Sequence, residues 1–158
     1  MIFTTKAEYG VRLLVELGRQ PEDRPVSLKA IAEAEGLPLA YLERIVALLR
    51  KAELVESTRG AHGGYRLSRP AQDIRMDEAI LALEGSVAPM TCFVDDRGES
   101  GHGVLCSHEA DSGHGCATKL LWTRVQGGVI NALAQTTLAE LVAFPARPVV
   151  PVREPVNA

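Results

Sequence analysis

The sequence predicts a mainly α-helical protein with a small β wing, on three observations. Residues 40–52 carry apolar side chains at helical spacing, two short β-prone runs then flank a glycine-rich tip, and helical periodicity returns from residue 116. A helix followed at once by a short hairpin is typical of the recognition helix and wing of a winged helix-turn-helix. We therefore predict a winged helix-turn-helix domain joined to a long dimerisation helix.

The length and the charge of the chain limit its class. A chain of 158 residues can bury one core, with room for a small appended module. The N-terminal residues contain no apolar run suited to a signal peptide or a membrane span, so we expect a cytoplasmic protein with no membrane partner. Residues 1–70 hold 11 Lys+Arg against 9 Asp+Glu, whereas residues 71–158 hold 6 against 11. The net charge of −3 argues against indiscriminate nucleic-acid binding, and the mildly basic first half is the part suited to DNA.

A capping motif predicts where the first helix begins. Thr5 and Glu8 have the capping-box spacing, at which the threonine oxygen reaches the amide of the third helical residue and the glutamate reaches back. The first helix should therefore start near Lys6 and end near Gly18.

The rest of residues 1–70 holds the helix-turn-helix and its wing. Ser27 is the expected cap of a second helix that ends at Gly36, and Pro38 suits the first turn of a third helix. Strands are predicted at residues 54–58 and 65–68. The third helix has one apolar stripe at i, i+3, i+4 and i+7, formed by Leu42, Ile45, Val46 and Leu49.

The remaining chain divides into four segments by its periodicity. Residues 71–85 contain a short linking helix, and residues 86–115 lose all periodicity and are read as a loop. Residues 116–143 form the dimerisation helix and a short last helix, and residues 144–158 a disordered tail. The dimerisation helix is predicted from an apolar stripe that one small chain should be unable to cover, formed by Leu121, Val125, Val129 and Leu133.

All three cysteines lie in or at the edge of the aperiodic loop, as Cys92, Cys106 and Cys116. Free cysteine is most often a small buried hydrophobe. Thiolates gathered in a polar, glycine-rich loop of a cytosolic protein instead favour zinc or an iron–sulfur cluster. No Cys-x-x-Cys pair and none of the tight zinc spacings is present, so redox-active or incidental thiols remain an alternative.

The sequence resembles the Rrf2 family of bacterial winged-helix regulators from about residue 2 to residue 143. The resemblance is carried by TTKAEYGVRLLVELG, YLERIVALLRKAELV, the wing RGAHGGYRL, and CATKLLW before the long helix and TTLAELV. In the cluster-binding members, three loop cysteines bind an iron–sulfur cluster whose state alters operator binding. The resemblance implies that Cys92, Cys106 and Cys116 bind such a cluster here, a 2Fe–2S cluster in preference to a 4Fe–4S cluster.

Two departures from the family pattern leave the fourth ligand open. The gaps between the cysteines are wider than in the best-known members, and Lys119 stands where the biogenesis regulators have a histidine. Some relatives use an acidic residue on helix 1 of the partner subunit, and Glu8 occupies that place. The predicted capping box would explain Glu8 without a metal. The other candidates are the loop histidines His102, His108 and His114.

DNA contacts are expected from the third helix and the wing. The Glu43 carboxylate can accept from cytosine N4, and the Arg44 guanidinium can donate to guanine. The alternative for these two residues is a solvated helix face with ordinary charge pairs. Arg59 is a natural minor-groove probe, because Gly60 beside it lets the wing backbone approach closely. Phosphate contacts are expected from Ser27 and Tyr41.

These expectations describe a transcription regulator, not an enzyme. The protein should be a homodimer that binds a double-stranded DNA operator with two-fold symmetry. It should sense redox state, nitric oxide or iron–sulfur supply through its cluster. The first alternative is a regulator that senses zinc or thiol oxidation without a cluster. A small thiol oxidoreductase is the second, and the absence of Cys-x-x-Cys near a βαβ pattern counts against it.

Overall fold

The computed structural model describes residues 3–21, 24–60, 63–87 and 117–144. Two strands, β1 (Val55–Thr58) and β2 (Gly64–Leu67), pair antiparallel, and a short 3-10 turn spans Ala71–Asp73. The mainly α-helical fold with a two-stranded wing is confirmed. The helices in the described ranges are α1 (Thr5–Arg19), α2 (Leu28–Glu35), α3 (Leu39–Lys51), α4 (Met76–Glu84), α5 (Ala117–Gln135) and α6 (Leu138–Ala143).

The core fixes which side of α3 faces outward. All four members of the predicted α3 stripe are buried, with Leu42 and Leu49 fully enclosed. They pack in one cluster with buried residues of α1, α2 and α4. Burial of a leucine contributes about 1.5–3 kcal/mol, so rotation of α3 about its axis would be costly. The opposite side of α3 is thereby held toward solvent.

The predicted capping box at the start of α1 is wrong. α1 begins at Thr5, and its N-cap is Thr4, whose hydroxyl accepts from the Lys6 amide at 3.2 Å. The carboxylate that completes this cap comes from α4, where Glu84 Oε1 accepts from the Thr4 amide at 3.1 Å and from the Thr4 hydroxyl at 2.6 Å. Glu84 therefore takes the role that the sequence pattern assigned to Glu8.

α1 and α4 pack closely beside this cap. A Cβ on Gly10 of α1 would collide with the side chain of Leu83. Glycine at this position lets Leu83 pack directly on the backbone of α1, and the end of α4 lies against the first half of α1.

The helix-turn-helix follows the predicted signals closely. The Ser27 hydroxyl accepts from the Ala30 amide at 3.2 Å and caps α2, and Gly36 ends α2 with φ of +64°. Pro38 lies one residue earlier than expected, at the N-cap of α3. Its carbonyl accepts from the amides of Tyr41 and Leu42 at 3.0 and 3.1 Å.

The wing is attached to the segment before α2. Val55 pairs with Leu67 and Thr58 with Gly64 at the two ends of the hairpin. An isolated antiparallel bridge joins Val26 to Tyr65, with amide-to-carbonyl distances of 2.9 and 2.8 Å. The base of the wing and the start of α2 therefore share one backbone hydrogen-bond network.

The apolar stripe predicted for α5 is partly covered by its own chain. Val129 and Leu133 pack against a small cluster formed by Ala7, Ile80 and Val87. Leu121 is 56% exposed, and Val125 is half-buried. Each four-residue step advances about 40° beyond a full helical turn, so a stripe at this spacing winds around the helix. The expectation that the whole stripe lies uncovered is therefore wrong for Val129 and Leu133.

α6 begins with the second predicted capping box, which is confirmed. Thr137 caps the helix, its hydroxyl accepting from the Glu140 amide at 3.4 Å while Glu140 Oε1 accepts from the Thr137 amide at 3.2 Å. In the described part of the chain, no helix is both long and apolar enough to cross a membrane. Most of the predicted loop and tail, residues 88–116 and 145–158, lie outside the described residues.

Candidate nucleic-acid interface and metal-ligating residues

Glu43 and Arg44 lie on the outward face of α3. Both side chains are exposed, as predicted, since the buried stripe occupies the other side of the helix. Within the described residues neither side chain forms an ion pair or a hydrogen bond. Other charged residues of this region are paired, such as Lys29 with Glu33 at 3.9 Å. The ordinary charge pairs weighed as the alternative for Glu43 and Arg44 are therefore not formed with any described residue.

Three further residues share the outward face and were missed by the sequence reasoning. Ala40, Ala47 and Lys51 are all exposed. Successive residues of a helix are rotated by about 100°, which puts these three on the side of α3 opposite the buried stripe. A helical projection centred on that stripe would have identified them. Alanine at two of these positions leaves the helix backbone open to close approach.

Tyr41, for which a phosphate contact is predicted, is half-buried and packs against α1. Its half-buried ring meets the ring of Tyr9 on α1 edge to face, with centroids 5.7 Å apart and an interplanar angle of 88°. Such pairs contribute about 0.5–1.5 kcal/mol beyond the burial of their area. A phosphate contact from Tyr41 would therefore use the hydroxyl of a fixed ring.

Ser27 has a structural role in addition to the predicted phosphate contact. Its hydroxyl oxygen caps α2, and its side chain is exposed at the N-terminus of that helix. Helix N-termini favour anions, because unpaired amides and the helix dipole both point there. Ser27 also directly follows Val26, whose backbone is bonded to the wing at Tyr65.

Arg59 and Gly60 lie at the tip of the wing, where the sequence placed them. Both are exposed, and Arg59 makes no ion pair with a described residue. Gly60 has φ of +117°, a conformation in which a side chain would be strained. Its carbonyl accepts from the Gly63 amide at 2.9 Å, which closes the turn. Residues 61–62 of the tip, including His62, lie outside the described residues.

Glu8 is available as a ligand, because the capping box that would have occupied it is absent. The residue lies in the first turn of α1 and is exposed. Its carboxylate makes no hydrogen bond or ion pair with a described residue. The neighbouring residue is Tyr9, whose ring contacts Tyr41 of α3. Glu8 is thus one residue away from a direct side-chain contact with the recognition helix.

The cysteine ligands predicted from the sequence, Cys92, Cys106 and Cys116, lie outside the described residues, as do the three loop histidines. The described residues nearest to them in sequence are Val87 before the loop and Ala117 after it. Val87 is buried, and its carbonyl accepts from the Gln126 side chain of α5 at 3.0 Å, while α5 itself begins at Ala117. Among the described residues alone, no group of three or more His, Cys, Asp and Glu side chains could hold a metal ion.

Comparison with known proteins gives one consistent family. Residues 3–143 match the model of the Rrf2 family, described as iron-dependent transcriptional regulators. The chain is 35% identical over 142 residues to the protein Rrf2 of Nitratidesulfovibrio vulgaris, covering 90% of this chain and 87% of that one.

Two solved structures are similar over nearly the whole chain. The structure of CymR, the global cysteine regulator of B. subtilis, is 33% identical with a TM-score of 0.71, covering 90% of this chain and 97% of CymR. The structure of T. potens IscR is 36% identical with a TM-score of 0.68, covering 89% and 85% respectively.

Proposed function

The chain belongs to the Rrf2 family of transcriptional regulators, and on this premise we propose that it is a homodimeric DNA-binding regulator whose loop cysteines hold an iron–sulfur cluster. The cluster would report redox state, nitric oxide or iron–sulfur supply. The observation that carries the DNA-binding part is the exposed α3 face, where Glu43 and Arg44 have no partner among the described residues beside a wing tipped by Arg59.

The α3 face has the size and charge that a DNA groove requires. α3 carries Arg44, Arg50 and Lys51 against one acidic residue, Glu43. None of these cations forms an ion pair with a described residue. A helix about 10–12 Å across fits the major groove, which is about 12 Å wide. The Val26–Tyr65 bridge holds the wing against the start of α2, and α2 packs in the same core cluster as α3, so the groove contacts and the wing contacts would move as one unit.

The donor set fits an iron–sulfur cluster. Three thiols in one chain segment supply the soft ligands that such clusters take, and the family is described as iron-dependent. The chain is also long enough for Cys92 to reach the start of α5, which Cys116 directly precedes. Cys92 follows Val87 by five residues, a span of at most about 18 Å. Val87 is hydrogen-bonded to Gln126 of α5, and the start of α5 lies about 14 Å along the helix from Gln126, which is within that span. Glu8 is the proposed fourth ligand, supplied by the partner subunit.

When bound, the cluster supplies a centre whose charge and occupancy change with redox state. The residues of this chain would transmit that change by packing. Glu8 adjoins Tyr9, and the Tyr9 ring contacts Tyr41 on α3. A shift of the first turn of α1 that follows engagement of the Glu8 carboxylate would therefore move the recognition helix of the same subunit. Such a change alters the spacing of the two recognition helices and so the DNA-binding equilibrium.

The cluster is tested on protein purified without oxygen, by ultraviolet–visible absorption and by iron and sulfide content. Cys92→Ser, Cys106→Ser and Cys116→Ser should each remove most of the iron, with far-ultraviolet circular dichroism nearly unchanged. Glu8→Gln should weaken cluster retention, whereas Glu33→Gln, at an exposed glutamate of α2, should not. Full retention of iron and sulfide after two of the three cysteine changes would refute the cluster.

A second candidate function follows from the similarity to CymR, which is described as a global cysteine regulator. In that alternative the protein regulates DNA binding through a thiol or zinc signal, and it carries no cluster. The same absorption spectrum separates the two functions, because a zinc form and a metal-free dithiol are both colourless.

A further inference from the structure

Leu39, the first residue of α3, is a large apolar side chain that the core covers only in part. It exposes 40% of its surface, so part of the side chain is covered by the fold and part is open to a partner. Leu42 and Leu49 of the same helix are fully buried. Leu39 precedes Leu42 by three residues and Val46 by seven, so it lies at the edge of the buried stripe, where the stripe meets the outward side of α3.

The residues around Leu39 place it beside the charged outward face. Leu39 lies one turn before Glu43, and Ala40 lies one turn before Arg44, spacings at which side chains are surface neighbours. Ala40 and Ala47 are exposed as well. The face thus combines an apolar part at the helix N-terminus with two charged side chains directly beside it.

This combination matches one chemical feature of the DNA major groove. The thymine 5-methyl group is the apolar group that a base pair presents there, beside donors and acceptors that carboxylate and guanidinium groups read. The N-terminal residues of a recognition helix are the ones that contact base edges. The net positive charge of α3 favours DNA over an apolar protein partner for this face.

We propose that Leu39 and Ala40 contact the 5-methyl group of a thymine next to the base pair that Glu43 reads, once in each half-site. Leu39 supplies the apolar area, and Ala40 leaves the clearance that the methyl group needs. The inference rests on the proposed DNA binding, and it adds a sequence preference that Glu43 and Arg44 alone would not produce.

The test replaces each thymine of a selected operator by uracil, which lacks only the methyl group. One position per half-site should lose about fourfold in affinity, the value for one buried methyl-sized group. In Leu39→Ala protein that penalty should fall below twofold. Leu81→Ala is the matched control, since Leu81 of α4 is 53% exposed and outside this face, and it should retain the full penalty. Circular dichroism checks the fold of both variants, and Leu39→Gln serves if Leu39→Ala is unstable.

The outcomes separate this inference from the proposed function. If the protein selects a specific operator and the uracil penalty is the same in wild type and in the Leu39 variants, the methyl contact is refuted and DNA binding stands. If no uracil position is sensitive at all, the contact is refuted in the same way. If no sequence is preferred over random DNA, the proposed DNA-reading function fails together with the inference.

Discussion

α3 and α5 each turn one side away from the described core, and the chemistry of the two sides is opposite. The outward side of α3 carries charged groups without partners among the described residues, Glu43 and Arg44. α5 exposes large apolar side chains, with Leu120 at 60%, Leu121 at 56% and Ile130 at 42%. Exposed charged groups are stable in water and can also bind a polyanion such as DNA. Exposed apolar area, in contrast, is stabilised only when another surface covers it. The chemistry of the two surfaces therefore suits two different kinds of partner.

The glycine pair of α5 fits this reading. Gly127 and Gly128 cost about 1 kcal/mol each relative to alanine in a helix. A Cβ at either position would meet no described atom within 4 Å, so packing within the described chain does not explain them. Close approach of a second copy of α5 would offset the cost, and we therefore retain the dimerisation helix as a prediction.

The largest effect is expected from Leu121→Glu. If α5 covers Leu121 in a dimer, the substitution buries a carboxylate in an apolar interface at a cost of several kcal/mol. Sedimentation at micromolar concentration should then show monomers with unchanged circular dichroism. The reciprocal control is Leu39→Glu on α3, which should weaken DNA binding and leave the dimer intact. A Leu121→Glu protein that sediments as a dimer would place the interface elsewhere.

A smaller effect is expected when the carboxylate of α3 is removed. Glu43→Ala should relax discrimination at one base pair per half-site by about 1–3 kcal/mol. Affinity for unrelated DNA should stay level or rise, because a negative charge leaves the interface. Binding to an operator selected from random sequence, with each base pair varied in turn, measures this change. A profile identical to wild type at every position would show that Glu43 reads no base.

The smallest effect concerns single charges on the two surfaces. Arg59→Ala at the wing tip should reduce the salt dependence of DNA binding by about one counterion per subunit. Arg124→Ala removes the same charge from α5, where Arg124 is exposed, and should leave the salt dependence unchanged. The measurement is the slope of log K against log salt concentration for both variants. Equal slopes for the two variants would contradict the assignment of DNA binding to the α3 and wing surface.

The sequence predicted the elements well where the determining interaction was local. Thr137 and Glu140 form a capping box, and Thr5 and Glu8 with the same spacing do not. The cause of this difference lies far away in the sequence. The N-cap is Thr4, one residue before Thr5, and its carboxylate partner is Glu84 of α4. A pattern within one helix contains no information about a competitor that arrives from another helix.

The α5 stripe shows the same limit for packing. Periodicity correctly identified a helix, whose end is fixed at Gln135. It could not tell which apolar residues α1 and α4 would cover, and Leu133 is packed against both core clusters while Leu121 is exposed. For the candidate site, the exposure of Glu43, Arg44 and Arg59 was predictable from the helix and hairpin patterns. The cysteine ligands stay a prediction.

The cap that joins Thr4 to Glu84 also orders events while the chain is being synthesised. The two residues are 80 positions apart, so the first turn of α1 has no complete cap until Glu84 has been made. At about 5–20 residues per second, that interval is about 4–16 s. During it, the amides at the start of α1 remain open to water, and Glu8 stands on a turn that can fray. The turn that carries Glu8, the ligand that we propose for the cluster, would therefore be held in place only after α4 has docked.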